Sequence, residues 1–200
     1  MDDSSTSGEW YTERLRSRDS RTWKRFFPDP YRWNIRHLRL GRVLDIGCGI
    51  GRCLAFNRGV GIGIDHNPTS VVLCRERGLD AFTPDEFALA DHGTFDSVLL
   101  SHVLEHLDEA DGTALVSRYL PFLRAGGRVV LISPQESGQR SDPTHVRFVG
   151  VDESARLLHS LGATEITSRS FPFPRIAGRV FRYNETVVIG TLRGVPSGGD

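Results

Sequence analysis

From residue 42 onward, short apolar runs alternate with stretches of helical periodicity. The apolar runs fall at 42–46, 60–64, 97–100, 127–133 and 185–192, and 164–170 alternates like a further strand. Helical stretches lie between them at 51–57, 69–77, 111–120 and 152–161. Apolar strands separated by helices predict an α/β domain with a mainly parallel sheet covered by helices on both faces. Residues 10–40 are rich in aromatics and arginines, and Pro28 and Pro30 are expected to break them into two helices. The ends, 1–8 and 195–200, are small, polar or glycine-rich and read as frayed tails. The expected organisation is an N-terminal helical segment over 1–40, one domain over 41–194, and a disordered tail over 195–200. Segment 171–183 joins the last two strands and is long enough to cross the mouth of a site.

Composition changes this picture little. Hydrophobic residues make up 38% and charged residues 25%, as in a soluble globular domain. No apolar stretch nears the roughly 18 residues that span a bilayer. The opening MDDSSTSGEW carries acids where a secretory signal places basic and then apolar residues. A cytoplasmic protein with no membrane partner is expected. The formal net charge of zero argues against a nucleic-acid partner, although residues 1–42 hold ten basic and six acidic side chains. Lys24 is the one lysine among 25 basic residues, a bias that fits a GC-rich genome more than a mechanism. Cys48, Cys53 and Cys74 lack C-x2-C spacing, so free thiols in a reducing compartment are expected.

The densest chemistry lies at 43–51, VLDIGCGIG. Asp45 ends the first strand, and Gly47, Gly49 and Gly51 open a turn whose backbone can approach a ligand without a Cβ in the way. Alone, such a run fits an NAD enzyme or a mere tight turn. Asp65 ends the second strand, where a carboxylate can accept hydrogen bonds from both ribose hydroxyls of an adenosine. The third glycine comes one residue too early for the G-x-G-x-x-G pyrophosphate turn. Asp45 would also repel a pyrophosphate, whereas it suits a ligand bearing an ammonium and a sulfonium.

In these residues the sequence resembles the class I S-adenosylmethionine-dependent methyltransferases of small-molecule type. VLDIGCGIG is similar to the family's first motif and GIGID to its ribose-binding strand end. GLDAFTPDEF is similar to the adenine stretch, FDSVLLSHVLEHL to the fourth-strand motif, and LRAGGRVVLISP to the turn into the fifth strand. The likeness runs in order through residues 40–192. It implies a Rossmann-like seven-stranded sheet with an antiparallel last strand, an N-terminal helical lid, and S-adenosylmethionine as cofactor. It also implies that Asp45, Gly47 and Gly49 cradle the methionine end. Asp65, with His66 beside it, would hold the ribose. Asp85 and the Glu86 backbone would hold the adenine, and Ser101 and His102 would line the sulfonium.

The acceptor has to be read from other residues. Methyl transfer from a sulfonium is an in-line displacement, so positioning supplies much of the acceleration. A neutral amine attacks with its own lone pair, whereas an alcohol profits from a general base. His37, His92 and His159 fall on expected surfaces, His66 adjoins the ribose acid, and His106 suits a structural role at least as well as a catalytic one. His102 and His145 remain as candidate bases. His145 lies in the loop after the fifth strand with Asp142 three residues before it, and an Asp can orient an imidazole and raise its basicity. The alternative is an Asp142–His145 hydrogen bond that only orders the loop. Glu105, His106, Glu136 and Arg147 are candidate acceptor contacts. Tyr11 and Trp33 join them from an aromatic segment whose faces and arginines suit a sugar or a planar ring; helix packing is the alternative for each. A divalent ion shared by Asp142, His145 and another acid is compatible with the loop, but no metal ligand is assigned.

The fourth strand is followed by Ser-His-Val-Leu, not by the Asn-Pro-Pro-Tyr or Asp-Pro-Pro-Tyr used for amino groups, nor by the Pro-Cys of cytosine methylation. The arginine-rich composition and the Asp-Pro-Thr-His loop resemble small actinobacterial enzymes that methylate sugars and natural products. The expected reaction is methyl transfer to a hydroxyl of a small molecule by a monomer or homodimer. A saccharide is the first acceptor, a phenol or quinone-like ring the second, with amines and carboxylates after these. Two rival readings come from other classes. The run from His102 to His106 also matches the inverted zinc-protease pattern H-x-x-E-H, and a cofactor-binding module without activity would share the same glycine turn.

Overall fold

The computed structural model describes residues 30–193. Tyr11, the first of the two expected N-terminal helices and the expected tail at 195–200 therefore lie outside the described residues. The chain divides into two compact units, residues 1–92 and 93–200.

The first unit runs α1 (Pro30–Leu38), β1 (Val43–Ile46), α2 (Arg52–Phe56), β2 (Gly61–Ile64), α3 (Pro68–Glu76), β3 (Ala81–Phe82) and α4 (Pro84–Ala88). Proline opens α1, α3 and α4, where its missing N–H is no loss and its fixed φ suits the first helical turn. The Asn67 side chain accepts the Thr69 N–H at 3.0 Å to start α3. Strands β1, β2 and β3 are parallel, with Asp45 opposite Gly63 and Gly63 opposite Ala81. All four residues of β1 are buried, so the register carries the Asp45 carboxyl inside with Val43, Leu44 and Ile46. The Arg52 guanidinium lies 4.5 Å over the Tyr31 ring and 5.3 Å from that of Phe56. Here an aromatic–arginine pair packs α1 and α2 together. Trp33 is 49% exposed, its ring 3.7 Å from that of His37.

The second unit holds β4 (Phe95–Ser101), a 3-10 turn (Leu104–His106), α5 (Glu109–Tyr119), β5 (Leu123–Pro134), α6 (Glu136–Gln139), α7 (Val151–Ser160), β6 (Ala163–Phe171) and β7 (Glu185–Leu192). β5 is parallel to β4 and antiparallel to β7, which pairs antiparallel with β6. The core gathers Val98, Leu99 and Leu100 with Val129–Ile132, Val187 and Val188, and α7 covers β6 and β7 through Leu158. Helix α5 begins at Glu109, earlier than its periodicity predicts, because the Asp108 carboxylate accepts the Asp111 N–H at 2.8 Å.

The strands run β3-β2-β1 in the first unit and β4-β5-β7-β6 in the second, seven in all, with the last strand antiparallel as the resemblance implied. β3, α4 and α6, of two, five and four residues, are too short to show a period in the sequence, whereas the equally short α2 is marked by the glycine turn before it.

Gly51 tests the turn directly. Its φ is 77°, and a Cβ there would lie 2.5 Å from Leu79 Cδ1 and 3.0 Å from Cys74 Sγ. Gly51→Ala should cost more than about 1 kcal/mol, combining a left-handed backbone with an overpacked contact. Chemical denaturation measures it, and an unchanged midpoint would contradict the packing described.

Candidate active site

In the first unit the glycine turn is tied to the end of β2. Gly47 and Cys48 donate their N–H groups to the Ile64 carbonyl at 2.7 and 3.1 Å. Gly49 donates to Asp65 Oδ2 at 2.8 Å, and Asn67 donates to Asp65 Oδ1 at 2.9 Å. Asp65 is thus aimed by two backbone N–H groups, each using one of the several acceptor positions of its oxygens. Helix α2 has only five residues. The cradle is therefore made by the turn's own backbone more than by a helix end. His66 is exposed, with Nδ1 3.8 Å from Asp65 Oδ1.

Asp45 is only 1% exposed, and its Oδ2 has no hydrogen-bond partner. Burial, and after it the charge of Asp65, raises its carboxyl to about 8. A group in that state is short of a cation. Asp85 is exposed in the first turn of α4. The Glu86 N–H, expected to face adenine, instead donates to Thr83 Oγ1 at 3.3 Å in a capping box, and the Glu86 carboxylate pairs with Arg75 at 2.8 Å. The three cysteines are free, with Cys48 and Cys74 buried.

In the second unit Ser101 closes β4, and His102 follows with a φ of 59°. That left-handed turn sends the ring between two buried acids. Nδ1 lies 3.1 Å from Glu105 Oε1 and Nε2 lies 2.5 Å from Glu185 Oε1. Glu105 is 0% and Glu185 1% exposed. Burial works against a charge on His102, but Glu185 and Glu105 override it and raise the ring to about 10. Burial opposes the Glu105 charge too, yet the bond to His102 holds its carboxyl below the usual range. With both nitrogens occupied and protonated, His102 has no lone pair to act as a base at neutral pH. The inverted zinc motif, which needs His102 and His106 as ligands, does not form either.

Glu185 was not foreseen, though a charged residue opening a buried apolar strand was a visible signal. His102→Ala should cost about 2–3 kcal/mol at neutral pH. Two buried carboxylates would lose their cation, and partial exposure of the ring keeps the effect below that of a fully buried pair. Because the folded pKa is raised, this stabilisation is complete below the ordinary value near 6.5 and is lost as pH rises through about 10. Denaturation of both proteins from pH 6 to 10 should show the gap closing; a constant gap would contradict the ion pairing.

His106 and His145 sit together, their rings 4.9 Å apart edge to face. His106 Nδ1 donates to the Thr144 carbonyl at 3.1 Å and His145 Nδ1 to the Gln139 carbonyl at 3.0 Å. A carbonyl only accepts, so each neutral ring keeps its lone pair on Nε2. Burial lowers the pKa of His106, against an opposing pull from Glu105. The expectation that Asp142 orients the His145 ring gives way to the Gln139 carbonyl. Asp142 Oδ1 instead accepts from Thr144 N and Oγ1, at 3.2 and 2.8 Å, in its own turn. Two expected acceptor contacts are also committed elsewhere. Glu136 forms a two-pronged ion pair with Arg175, which lowers its carboxyl to about 2. Arg147 Nε donates to the Leu107 carbonyl at 2.8 Å and straps the loop to the 3-10 turn.

A family profile described as a methyltransferase domain matches residues 11–180. The chain belongs to the S-adenosylmethionine-dependent methyltransferases. S-adenosylmethionine is the methyl donor of this methyltransferase, and the buried, unpartnered Asp45 oxygen fits the ammonium such a cofactor carries.

A Xenopus tropicalis protein named tRNA (carboxymethyluridine(34)-5-O)-methyltransferase alkbh8 is 33% identical over 92 residues, covering 44% of this chain and 15% of its own. A Pseudoalteromonas translucida tRNA U34 carboxymethyltransferase is 34% identical over 122 residues, covering 54% of this chain and 35% of its own. The methyltransferase thus spans well under half the length of these curated relatives. A solved S-adenosylmethionine-dependent methyltransferase from Archaeoglobus fulgidus shares the fold at a TM-score of 0.65, with 21% identity over 80% of this chain and 92% of that one. No helix among the described residues is long and apolar enough to cross a membrane.

Proposed function

We propose that this methyltransferase methylates a hydroxyl oxygen, with a small saccharide as the first acceptor class and a phenolic or quinone-like ring as the second. The observation that carries an oxygen acceptor is the tautomer of His145. Its Nδ1 is held by the Gln139 carbonyl, leaving the Nε2 lone pair beside His106 and the buried Glu105. Such a nitrogen can take a hydroxyl proton, whereas a neutral amine needs no such help. The name of the Xenopus relative likewise specifies an oxygen acceptor.

The cofactor supplies an electrophilic methyl group on a sulfonium. Asp45 accepts its ammonium, Gly47 and Gly49 give the methionine end close backbone approach, and Asp65 takes the ribose hydroxyls. His66 flanks that acid, Asp85 receives the adenine amino group, and Ser101 lines the methyl end. His102, held as a cation, fixes Glu105 and Glu185 instead of moving a proton. Trp33 offers an exposed ring to the acceptor.

A second reading has its own support. Both curated relatives are named for tRNA, against the expectation of no nucleic-acid partner. Arg32, Arg36 and Arg58 are exposed in the first unit and lie close enough that, after slight desolvation, the other two lower the Arg36 pKa. Such a cluster suits phosphates.

Transfer of a radiolabelled methyl group from S-adenosylmethionine to a saccharide and phenol panel, beside bulk tRNA, separates the readings. Label on a small hydroxylated compound supports the first reading, and label on tRNA alone replaces it with the second. Cofactor binding with no transfer to either would return the protein to the class of binding modules.

A further inference from the structure

We propose that Glu105, His106 and His145 form a binding site for a divalent transition-metal ion. Each can offer one ligand atom, and the three atoms lie within 4.8 Å of one another. Small side-chain rotations bring such a set onto a single ion at the usual ligand distances near 2.0–2.2 Å.

The strongest sign is the oxygen that lacks a partner. Glu105 is 0% exposed; its Oε1 meets His102, and its Oε2 has no hydrogen bond at all. A buried carboxylate oxygen left in this way is unfavourable unless something positive meets it. Edge-to-face packing explains why the two histidine rings meet, but it leaves that oxygen unexplained.

The surroundings are those of a prepared site. Both histidines donate Nδ1–H to backbone carbonyls of Thr144 and Gln139, which directs both Nε2 lone pairs as metal ligation requires. The loop carrying His145 is fastened to the turn carrying Glu105 and His106. Val146 donates its N–H to the Glu105 carbonyl at 2.8 Å, and Gln139 Nε2 donates to the Arg147 carbonyl at 2.8 Å. Two imidazoles and one carboxylate suit Zn²⁺ and its neighbours in the first transition row, and are too rich in nitrogen for Ca²⁺ or Mg²⁺. Three protein ligands leave a coordination position open for water or an acceptor oxygen. Asp142, the acid the loop sequence offered, holds the turn before His145 and is not in the ligand set.

What the ion would do rests on the hydroxyl-acceptor reading: bound there, it would polarise an acceptor hydroxyl in place of proton uptake by His145. Its binding does not rest on that reading. The test is therefore titration of Zn²⁺ into tag-free, chelator-treated protein without cofactor or acceptor. We expect one equivalent to bind saturably. His106→Ala and His145→Ala should each weaken it about 100-fold or more, because loss of a ligand exceeds the 10–100-fold typical of an outer-shell partner. Glu105→Gln keeps an oxygen for His102 but removes the anionic ligand, and should weaken Zn²⁺ at least about tenfold with an unchanged circular dichroism spectrum. His159→Ala, on the exposed end of α7, should bind like the parent. No saturable equivalent in the folded parent, or an equivalent that survives loss of both His106 and His145, overturns the site. Metal binding that persists while every hydroxyl acceptor fails would leave the site standing and remove only the acceptor reading.

Discussion

Asp45→Asn is expected to weaken S-adenosylmethionine binding about 10- to 100-fold while raising the stability of the ligand-free protein. The two effects have one cause. The strand register places the Asp45 carboxyl in the interior with one oxygen unpartnered, and burial followed by the Asp65 charge raises its pKa to about 8. In the unfolded chain the same group titrates at the ordinary value near 3.8. Between these values the folded state holds a proton that the unfolded state has released. The stability Asp45 contributes is complete below about pH 4 and is lost as pH rises through about 8. An asparagine has the same shape without this titration, so its advantage should grow across that window and level off above it.

Cofactor binding runs the other way. An ammonium stabilises the carboxylate form, so binding below pH 8 should release a proton. The lost hydrogen bond to a charged group is worth about 1.5–3 kcal/mol, which sets the expected fold-change. Calorimetric titration in buffers of different ionisation enthalpy, from pH 6 to 9, reads affinity and proton release together. Unchanged affinity in Asp45→Asn would place the methionine end elsewhere.

The contrast between strands and loops explains what could be read in advance. Buried apolar runs such as 43–46 and 185–192 are visible because a parallel or central strand must be apolar on both faces, and the glycine turn is visible because its backbone needs glycine. The proposed donor residues sit beside those signals; the proposed acceptor cluster does not. Glu185 meets His102 across 83 positions of sequence, and only the pairing of β5 with β7 makes Glu185 local. Asp142 and His145 were joined by their nearness in sequence, but an Asp followed by a Pro and a Thr more readily closes its own turn. Glu136 and Arg147 have the right chemistry for a polar acceptor, yet each is engaged by the fold, with Arg175 and the Leu107 carbonyl. A loop sequence states which polar groups are present; their partners are set by tertiary contacts.

His145→Ala should lower kcat about 10²- to 10⁴-fold on an acceptor found by the label screen, with S-adenosylmethionine affinity nearly unchanged. The size follows from the role, since removing a positioned base forfeits proton transfer in the transition state and leaves approach and alignment in place. A structural role predicts something different. If His145 only ordered its loop, the variant would raise KM and melt lower, because the loop would loosen around the acceptor. The loop has other fastenings, from Val146 to the Glu105 carbonyl and from Gln139 to the Arg147 carbonyl, and both survive the substitution. The loss should therefore fall on kcat. Measuring the variant with and without Zn²⁺ adds a second axis. A parent rate that depends on the ion assigns hydroxyl activation to the loaded Glu105–His106–His145 cluster, and a parent rate indifferent to it assigns activation to the imidazole alone. Near-normal kcat in His145→Ala under both conditions would remove this histidine from the reaction.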